Sequence, residues 1–311
     1  MINSRIAGTG SYLPEKVLTN RDLEKMVETS DEWIQERTGI KERRIAAEGE
    51  TTTDLALAAL EQALDAASCS ANDLDMILVA TCTPDSQFPS TAARVQYRLG
   101  VRDFPALDIN AACSGFIYGL NIADSLIKSG QFKRIGVVGA ERMSSITDWT
   151  DRSVCVLFGD GAGAVVLDAS KEQGIISTHI HADGEYGDLL YHDNRNNSIF
   201  MEGNKVFRVA VRTLERIVDE TLEANRMQKS DVDWLIPHQA NLRIMQATAK
   251  KLELPESQMI VTVTEHGNTS AASIPLALDA GVRSGQIQRG EILLMESFGA
   301  GFTWGSALVK Y

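Results

Sequence analysis

The chain has 311 residues, of which 44% are hydrophobic and 23% charged, and its formal net charge is −12. This length allows two domains or one duplicated core, and the acidic balance argues against a general nucleic-acid-binding protein. No apolar run approaches the ~20 residues of a membrane-spanning helix, and the four cysteines are spaced for neither a zinc site nor a disulfide framework. We therefore expect a cytoplasmic protein that holds no metal and binds neither nucleic acid nor membrane.

The first half of the chain alternates predicted strands and helices. The predicted strands are 4–10, 76–81, 106–109 and 134–139, and the predicted helices are 20–36, 51–67, 90–99 and 117–128. Gly8-Thr9-Gly10 lacks the third glycine of a dinucleotide-binding fingerprint, so we interpret it as a turn. Alternation of this kind is typical of parallel α/β layering.

The second half repeats this order. Its predicted strands are 174–181, 234–237, 259–263, 292–296 and 303–310, and its predicted helices are 204–224, 242–252 and 271–283. The runs Phe-Gly-Asp-Gly at 158–161 and Phe-Gly-Ala-Gly at 298–301 each lead into a strand of small and then apolar residues. This self-similarity predicts two related α/β halves, 1–170 and 171–311, packed as one unit.

Cys113 lies where a predicted strand turns into a predicted helix. The helix N-terminus favours a thiolate and commonly lowers a cysteine pKa, which suggests a covalent nucleophile among small neighbours. The alternative is a buried structural cysteine, which this stretch alone favours.

Two further polar elements follow predicted strands. They are the run 236–241, which contains His238, and the run 265–270, which contains Asn268. A single histidine is usually structural and a single asparagine before a helix is usually its N-cap. Three such elements at matching positions of a duplicated fold predict a shared site with Cys113, because open α/β sheets place their sites at strand ends.

These runs resemble the thiolase-like condensing enzymes, and specifically the β-ketoacyl-acyl carrier protein synthase III family. The resemblance extends over essentially the whole chain and is strongest at 31–34, 37–40, 111–116, 158–163, 237–241, 266–270 and 304–308. It implies a thiolase-like fold in which the two halves form five layers, αβαβα.

The resemblance also implies the chemistry. Cys113 would take an acyl group from an acyl-CoA, with the oxyanion on the backbone N–H groups of Cys113 and Ala300. The family often has a third glycine where Ala300 stands. His238 and Asn268 would then stabilise the enolate that forms when malonyl-acyl carrier protein loses CO2. Elongating synthases use two histidines here, and degradative thiolases use a late second cysteine, which this chain lacks.

Binding residues are implied position by position. The implied coenzyme A site consists of Trp33, Arg37, Thr38, Arg152, Gly203, Phe207, Ala240 and Asn241, with Trp33 and Arg152 on either side of the adenine. The implied acyl pocket contains Met143 and Phe88, where Phe88 reaches in from the partner subunit of a homodimer. The carrier protein would dock on Arg208, Arg212, Arg243, Lys250 and Lys251, for which an ordinary solvated helix face is the alternative. Coenzyme A is a substrate here, so no resident cofactor is expected.

Three functions remain open from the sequence. The first is the initiating condensation of type II fatty acid biosynthesis, from acetyl-CoA or a similar primer. The second is a ketosynthase or acyltransferase of secondary metabolism with another acceptor, and the third is a non-catalytic partner subunit. The complete set of Cys113, His238 and Asn268 argues against the third, and primer preference depends on the pocket near Phe88, Met143 and Ala300.

Overall fold

Two mixed β-sheets of the same topology form the framework of the molecule. The computed structural model describes residues 2–311. Its strands are β1 (Asn3–Tyr12), β2 (Lys16–Thr19), β3 (Glu42–Ile45), β4 (Met76–Ala80), β5 (Ala106–Ile109), β6 (Arg134–Arg142), β7 (Asp160–Ser170), β8 (Ile175–Ala182), β9 (Leu190–Asp193), β10 (Ser198–Met201), β11 (Trp234–Pro237), β12 (Ile292–Gly299) and β13 (Thr303–Lys310). Its helices are α1 (Asn20–Leu23), α2 (Asp31–Thr38), α3 (Thr52–Ala66), α4 (Thr91–Arg98), α5 (Gly115–Lys128), α6 (Arg152–Cys155), α7 (Gly203–Asn225), α8 (Leu242–Leu252), α9 (Val263–His266) and α10 (Ser273–Arg283).

The four strands of the second sheet correspond in order to the first four strands of the first sheet. The first sheet runs β1-β7-β6-β4-β5 and the second runs β8-β13-β12-β11. In each sheet the first two pairings are antiparallel and the later ones parallel. An isolated parallel bridge from Met259 to Leu235 takes the place that β5 holds in the first sheet. The duplication is therefore visible in the hydrogen bonding of both sheets.

The helices complete five layers. α5 packs against β6 on one side and β8 on the other, and α10 packs between β7 and β11, so these two helices lie between the sheets. α3 and α4 cover the outer face of the first sheet, and α7 covers that of the second with α8 beside it. Phe116 and Leu120 of α5 are fully buried in this central layer. The predicted αβαβα thiolase-like fold is confirmed.

Gly8 and Gly10 have a packing role within β1. A Cβ atom on Gly8 would lie 2.4 Å from the Ala63 carbonyl oxygen, and one on Gly10 would lie 2.3 Å from that of Ala59. The missing side chains allow α3 to pack directly on the strand. The predicted turn at Gly8-Thr9-Gly10 is therefore wrong, because β1 continues to Tyr12.

Two predicted elements form differently. The predicted helix 20–36 is two short helices, α1 and α2, each with its own capping residue, Thr19 and Ser30. The predicted strand 259–263 forms no strand beyond its bridge, because the Gln239 side-chain oxygen accepts the Thr262 and Val263 N–H groups (2.8 and 3.0 Å). A side chain thus replaces the backbone of a neighbouring strand, and the chain turns into α9.

No helix within residues 2–311 combines the length and the apolar character that crossing a membrane requires.

Candidate active site

A cavity of about 730 Å³ opens at the carboxyl ends of the parallel strands, and residues of both halves line it. Cys113 follows β5, His238 follows β11, and Asn268 precedes the turn that begins α10. All three side chains line this cavity. The structure therefore brings together the three residues that the sequence singled out.

The Cys113 turn is held by the hairpin of β12 and β13. The Ser297 hydroxyl donates to the Cys113 carbonyl oxygen (2.8 Å), and the Thr303 hydroxyl donates to that of Ala111 (2.8 Å). A Cβ atom on Gly299 would lie 2.7 Å from the Cys113 backbone nitrogen, so only glycine permits this approach. Ala300 lines the cavity and has no positive φ, so alanine is accommodated in the turn without backbone strain.

Burial raises the pKa of the Cys113 thiol to about 12, and the nearby Glu141 carboxylate adds to the rise. The neighbouring Ser270 hydroxyl opposes it. The expected lowering of this pKa is therefore wrong, because removing the sulfur from water outweighs the start of α5. The resting side chain is a thiol.

His238 is buried and neutral, since burial lowers its pKa to about 3. Its Nδ1 lies 2.6 Å from the Ser273 hydroxyl, whose oxygen accepts the Gln239 N–H (3.3 Å). Within residues 2–311, Nδ1 is the one acceptor that this hydroxyl contacts, so we assign the hydroxyl proton to Nδ1 of the imidazole. The ring proton then resides on Nε2, which makes His238 a hydrogen-bond donor to the cavity.

Asn268 is also oriented by its surroundings. Its Oδ1 accepts the Ser270 N–H (2.8 Å), so its Nδ2 group remains to donate. Its backbone bonds Leu157 and Gly159 in the other half of the chain. Two oriented neutral donors in one enclosed cavity are suited to stabilise negative charge that develops on an oxygen.

The residues implied for coenzyme A line the same cavity. The guanidinium groups of Arg37 and Arg152 lie 5.1 and 4.8 Å from the centre of the Trp33 ring. Since Arg152 covers the ring directly, an adenine between the two would have to displace it. Gly203, Phe207 and Ala240 also line the cavity.

Two of these residues are engaged in capping. The Thr38 hydroxyl donates to the Ile34 carbonyl oxygen and accepts the Ile40 N–H. Asn241 is the N-cap of α8, and its Nδ2 donates to the Arg37 carbonyl oxygen (2.9 Å). Both side chains therefore shape the wall through internal hydrogen bonds.

The two implied acyl-pocket residues lie apart. Met143 is buried and lines the cavity together with Phe158 and Ile199. Phe88 does not line it and is 82% exposed. Of the two implied residues, only Met143 therefore lies in the cavity with Cys113 of the same chain.

The implied docking residues lie on α7 and α8. Arg208, Arg212, Arg243 and Lys250 are exposed, and Arg243 also stacks on the Phe207 ring (5.6 Å) at the cavity wall. Lys251 instead forms an ion pair with Asp219 (2.7 Å), which links the two helices.

Comparison with known proteins agrees with this geometry. Residues 107–184 match the family "3-Oxoacyl-[acyl-carrier-protein (ACP)] synthase III", and residues 222–311 match its C-terminal part. The chain is 60% identical to the β-ketoacyl-[acyl-carrier-protein] synthase III of Thiobacillus denitrificans, and the match covers 100% of both chains. It is 58% identical to the synthase III of Xanthomonas euvesicatoria, and that match covers 100% of this chain and 99% of the relative. The chain belongs to the 3-oxoacyl-[acyl-carrier-protein] synthase III family. A solved synthase III structure from Aquifex aeolicus, 51% identical, superposes with a TM-score of 0.97 over 99% of this chain and 100% of that one.

Sequence reasoning missed three polar residues of this synthase III site, which are Ser270, Ser273 and Glu141. Ser270 and Ser273 are among several hydroxyl residues after Asn268, and nothing in the sequence distinguishes them. Glu141 offered a signal, because it is a single acidic residue at the end of an otherwise buried apolar strand. Such a residue is costly to bury unless it is hydrogen-bonded or used.

Proposed function

We propose that this chain catalyses the initiating condensation of type II fatty acid biosynthesis, joining an acyl-CoA primer to malonyl-acyl carrier protein. The products are 3-oxoacyl-acyl carrier protein, CoA and CO2. The observation that carries the proposal is the shared cavity, in which a cysteine faces two oriented N–H donors. Membership of the synthase III family supports the same reaction.

The first half-reaction stores the acyl group. The Cys113 sulfur attacks the thioester carbonyl carbon, and the oxyanion accepts the backbone N–H groups of Cys113 and Ala300. The carbon–sulfur bond to CoA then breaks, which leaves acyl-Cys113 and a CoA thiolate that takes up one proton. The hairpin contacts at Ser297 and Thr303 hold both backbone segments in place for this step.

The second half-reaction forms the new carbon–carbon bond. Malonyl-acyl carrier protein loses CO2, and the electron pair of the broken bond becomes an enolate at the thioester oxygen. His238 Nε2 and Asn268 Nδ2 donate to that oxygen. The enolate carbon attacks the acyl carbonyl carbon, the Cys113 sulfur leaves as a thiolate, and a proton from solvent restores the thiol.

Aromatic and positively charged residues at and beside the cavity would bind the two substrates. Trp33, Arg37 and Arg152 offer an aromatic face and two cations to the adenine and phosphates of CoA. The exposed arginines of α7 and α8 and Lys250 offer positive charge to an acidic carrier protein, although the chain as a whole is acidic.

A homodimer would complete the acyl pocket. The exposed Phe88, Tyr97 and Leu107 lie on or beside the unpaired edge strand β5, where a second copy could add its own β5. Phe88 would then enter the partner's cavity. The four cysteines are all free, which supports a reducing compartment such as the cytoplasm.

The deciding experiment is intact-mass spectrometry of the protein after incubation with a panel of acyl-CoAs, without carrier protein. We expect a mass increase of one acyl group that is absent in a Cys113→Ser control, followed by loss of the adduct when malonyl-acyl carrier protein is added. No adduct with any acyl-CoA would contradict the proposal and leave a partner subunit, or a relative loaded by another donor, as the better interpretation.

A further inference from the structure

A carboxyl group is fully buried behind the cavity wall and has no cation to balance it. Glu141, near the end of β6, has no exposed surface and forms no ion pair within residues 2–311. Its Oε2 accepts from the hydroxyls of Thr81 (3.1 Å) and Thr83 (2.5 Å) and from the Cys82 N–H (3.1 Å), and its Oε1 accepts from the Cys82 thiol (3.2 Å). Three consecutive residues after β4 therefore fix the position of this carboxylate.

A further partner of Glu141 comes from the other half of the chain. The Ser270 hydroxyl donates to Oε1 (3.0 Å), and its oxygen also lies 3.8 Å from the Cys82 sulfur. The turn that contains Ser270 approaches β6 closely, because a Cβ atom on Gly139 would lie 2.2 Å from the Ala271 carbonyl oxygen. Gly139 and Glu141 lie on the same face of β6. The strand thus makes room for the turn at Gly139 and binds it at Glu141.

Ser270 has a backbone conformation that its surroundings must support. It is 1% exposed and has a φ of 49°, which non-glycine residues rarely adopt. Such conformations persist where the neighbouring structure holds them, and they are frequent at functional sites. Because the Ser270 hydroxyl donates to a carboxylate that is itself fixed by the segment after β4, Glu141 supplies this support.

The backbone of Ser270 in turn determines which way the Asn268 amide faces. The Ser270 N–H donates to Asn268 Oδ1 (2.8 Å). The two ends of a side-chain amide have nearly the same shape, so without this N–H the group would be free to rotate by 180° and point its oxygen into the cavity, where an acceptor repels an enolate. The Asn268 backbone is held separately by Leu157 and Gly159. Ser270 therefore controls the orientation of the side chain and not its location.

We propose that Glu141 is a positioning residue for the condensation step and acts through Ser270 on the Asn268 amide, an inference that rests on the proposed function. Its carboxylate holds the Ser270 hydroxyl, which keeps the Ser270 N–H on Asn268 Oδ1 and leaves Nδ2 to donate to the enolate oxygen. Glu141 contacts no reacting atom and transfers no proton. Acylation of Cys113 does not use the Asn268 amide, so only the second half-reaction depends on Glu141.

The test measures the two half-reactions separately in the wild type, Ser270→Ala and Glu141→Gln. Ser270→Ala removes the hydroxyl and keeps the backbone N–H, whereas Glu141→Gln places an NH₂ group among donors. We expect CO2 release from malonyl-acyl carrier protein on the acylated enzyme, followed by stopped flow, to slow by at least about tenfold, approaching the roughly 100-fold effect of losing one oxyanion donor. The acylation rate, followed by intact mass, and the KM for malonyl-acyl carrier protein should stay within about threefold of the wild-type values.

The same substitutions in an Asn268→Ala background distinguish positioning from a general structural role. With the amide already removed, adding Ser270→Ala or Glu141→Gln should slow CO2 release by less than about threefold, whereas a purely structural role predicts the same loss in both backgrounds. Ser4→Ala is the matched control. Ser4 is also a buried serine that donates to a buried carboxylate, that of Asp124 (2.6 Å), and neither residue lines the cavity. It should leave both half-reactions unchanged.

Three results would overturn the proposal: CO2 release within about threefold of the wild-type rate in both single variants, an equal loss in both backgrounds, or acylation slowed as much as condensation. Absence of acylation in the wild type would instead contradict the proposed function. If Glu141→Gln does not fold, Ser270→Ala decides the outcome by the same comparison, because it removes the hydrogen bond through which Glu141 acts.

Discussion

At the scale of single residues, the site works by fixing where protons lie. Ser273 directs its proton to His238 Nδ1, and the Ser270 N–H occupies Asn268 Oδ1, so both active-site side chains present a donor to the cavity. Neither orientation could be deduced from the identity of the residues. Both depend on neighbours that only the tertiary structure brings close.

This arrangement predicts that His238 serves the second half-reaction only. We expect His238→Ala to lower the condensation rate by about 100-fold or more, the typical effect of removing one oxyanion donor, because the enolate loses that stabilisation. Acylation of Cys113 should stay within about threefold of the wild-type rate. Stopped-flow assay of CO2 release and intact-mass measurement of acylation separate the two steps.

The variant Asn268→Ala should likewise lower the condensation rate and leave the rate of Cys113 acylation close to that of the wild type. If either variant slowed acylation as much as condensation, the side chain would participate in activating Cys113. That result would contradict the hydrogen-bond assignment of the donor atoms.

At the scale of elements, α5 and α10 begin in the same unusual way. A single-turn 3₁₀ helix precedes each, and its first residue has a left-handed backbone, with φ of 46° at Ala112 and 49° at Ser270. Ser270 is thus the structural counterpart of the residue before Cys113. The two starting turns pack against one another, so the duplication itself places Ser270 beside the turn that carries the nucleophile.

The outer helices α7 and α8 carry the proposed docking charges. Reversing two of them, Arg208→Glu with Lys250→Glu, should raise the KM for malonyl-acyl carrier protein by about tenfold, because favourable charge contacts with an acidic partner become repulsive. The acylation rate with acyl-CoA should not change. Steady-state kinetics at two salt concentrations would measure this, and the effect should shrink at the higher one.

Lys133→Glu is a suitable control for the charge reversal. Lys133 is exposed and directly precedes β6, so it lies at the amino end of this strand, whereas the cavity lies at the carboxyl ends. An equal rise in KM for this control would indicate an effect of net charge and contradict a docking site on α7 and α8.

At the scale of the whole molecule, one buried group should affect stability against pH. Glu296 of β12 is 1% exposed, and neither of its carboxyl oxygens has a hydrogen-bond partner. Burial raises its pKa to about 8, and the nearby Thr248 hydroxyl only partly opposes the rise. The folded state therefore holds this proton over a pH range in which the unfolded chain has lost it.

The sign of the effect follows from proton binding. Between about pH 4.5 and 8 the folded state binds more protons at this position, so stability falls as pH rises, by at most about 1.4 kcal/mol per pH unit. We expect the urea midpoint of the wild type to fall more steeply from pH 5 to 8 than that of Glu296→Gln. Parallel curves would contradict the assignment.

The sequence by itself determined the alternation of strands and helices, the duplication, and the three residues Cys113, His238 and Asn268. These signals are local, because hydrophobic periodicity and short motifs depend on residues that are close in the sequence. The same local signals failed for 259–263 and 20–36, where a distant Gln239 side chain and an additional capping residue, Ser30, decided the outcome.

Only the tertiary structure decided the electrostatics and the supporting contacts of the site. Burial raised the pKa of Cys113, whereas the sequence predicted a lowered one. The side chains of Thr38, Asn241 and Lys251 form hydrogen bonds or an ion pair within the protein. Glu141 and Ser270 come from different halves of the chain, 129 positions apart. Desolvation and long-range hydrogen bonds depend on which surfaces meet in three dimensions, and no local pattern of residues encodes them.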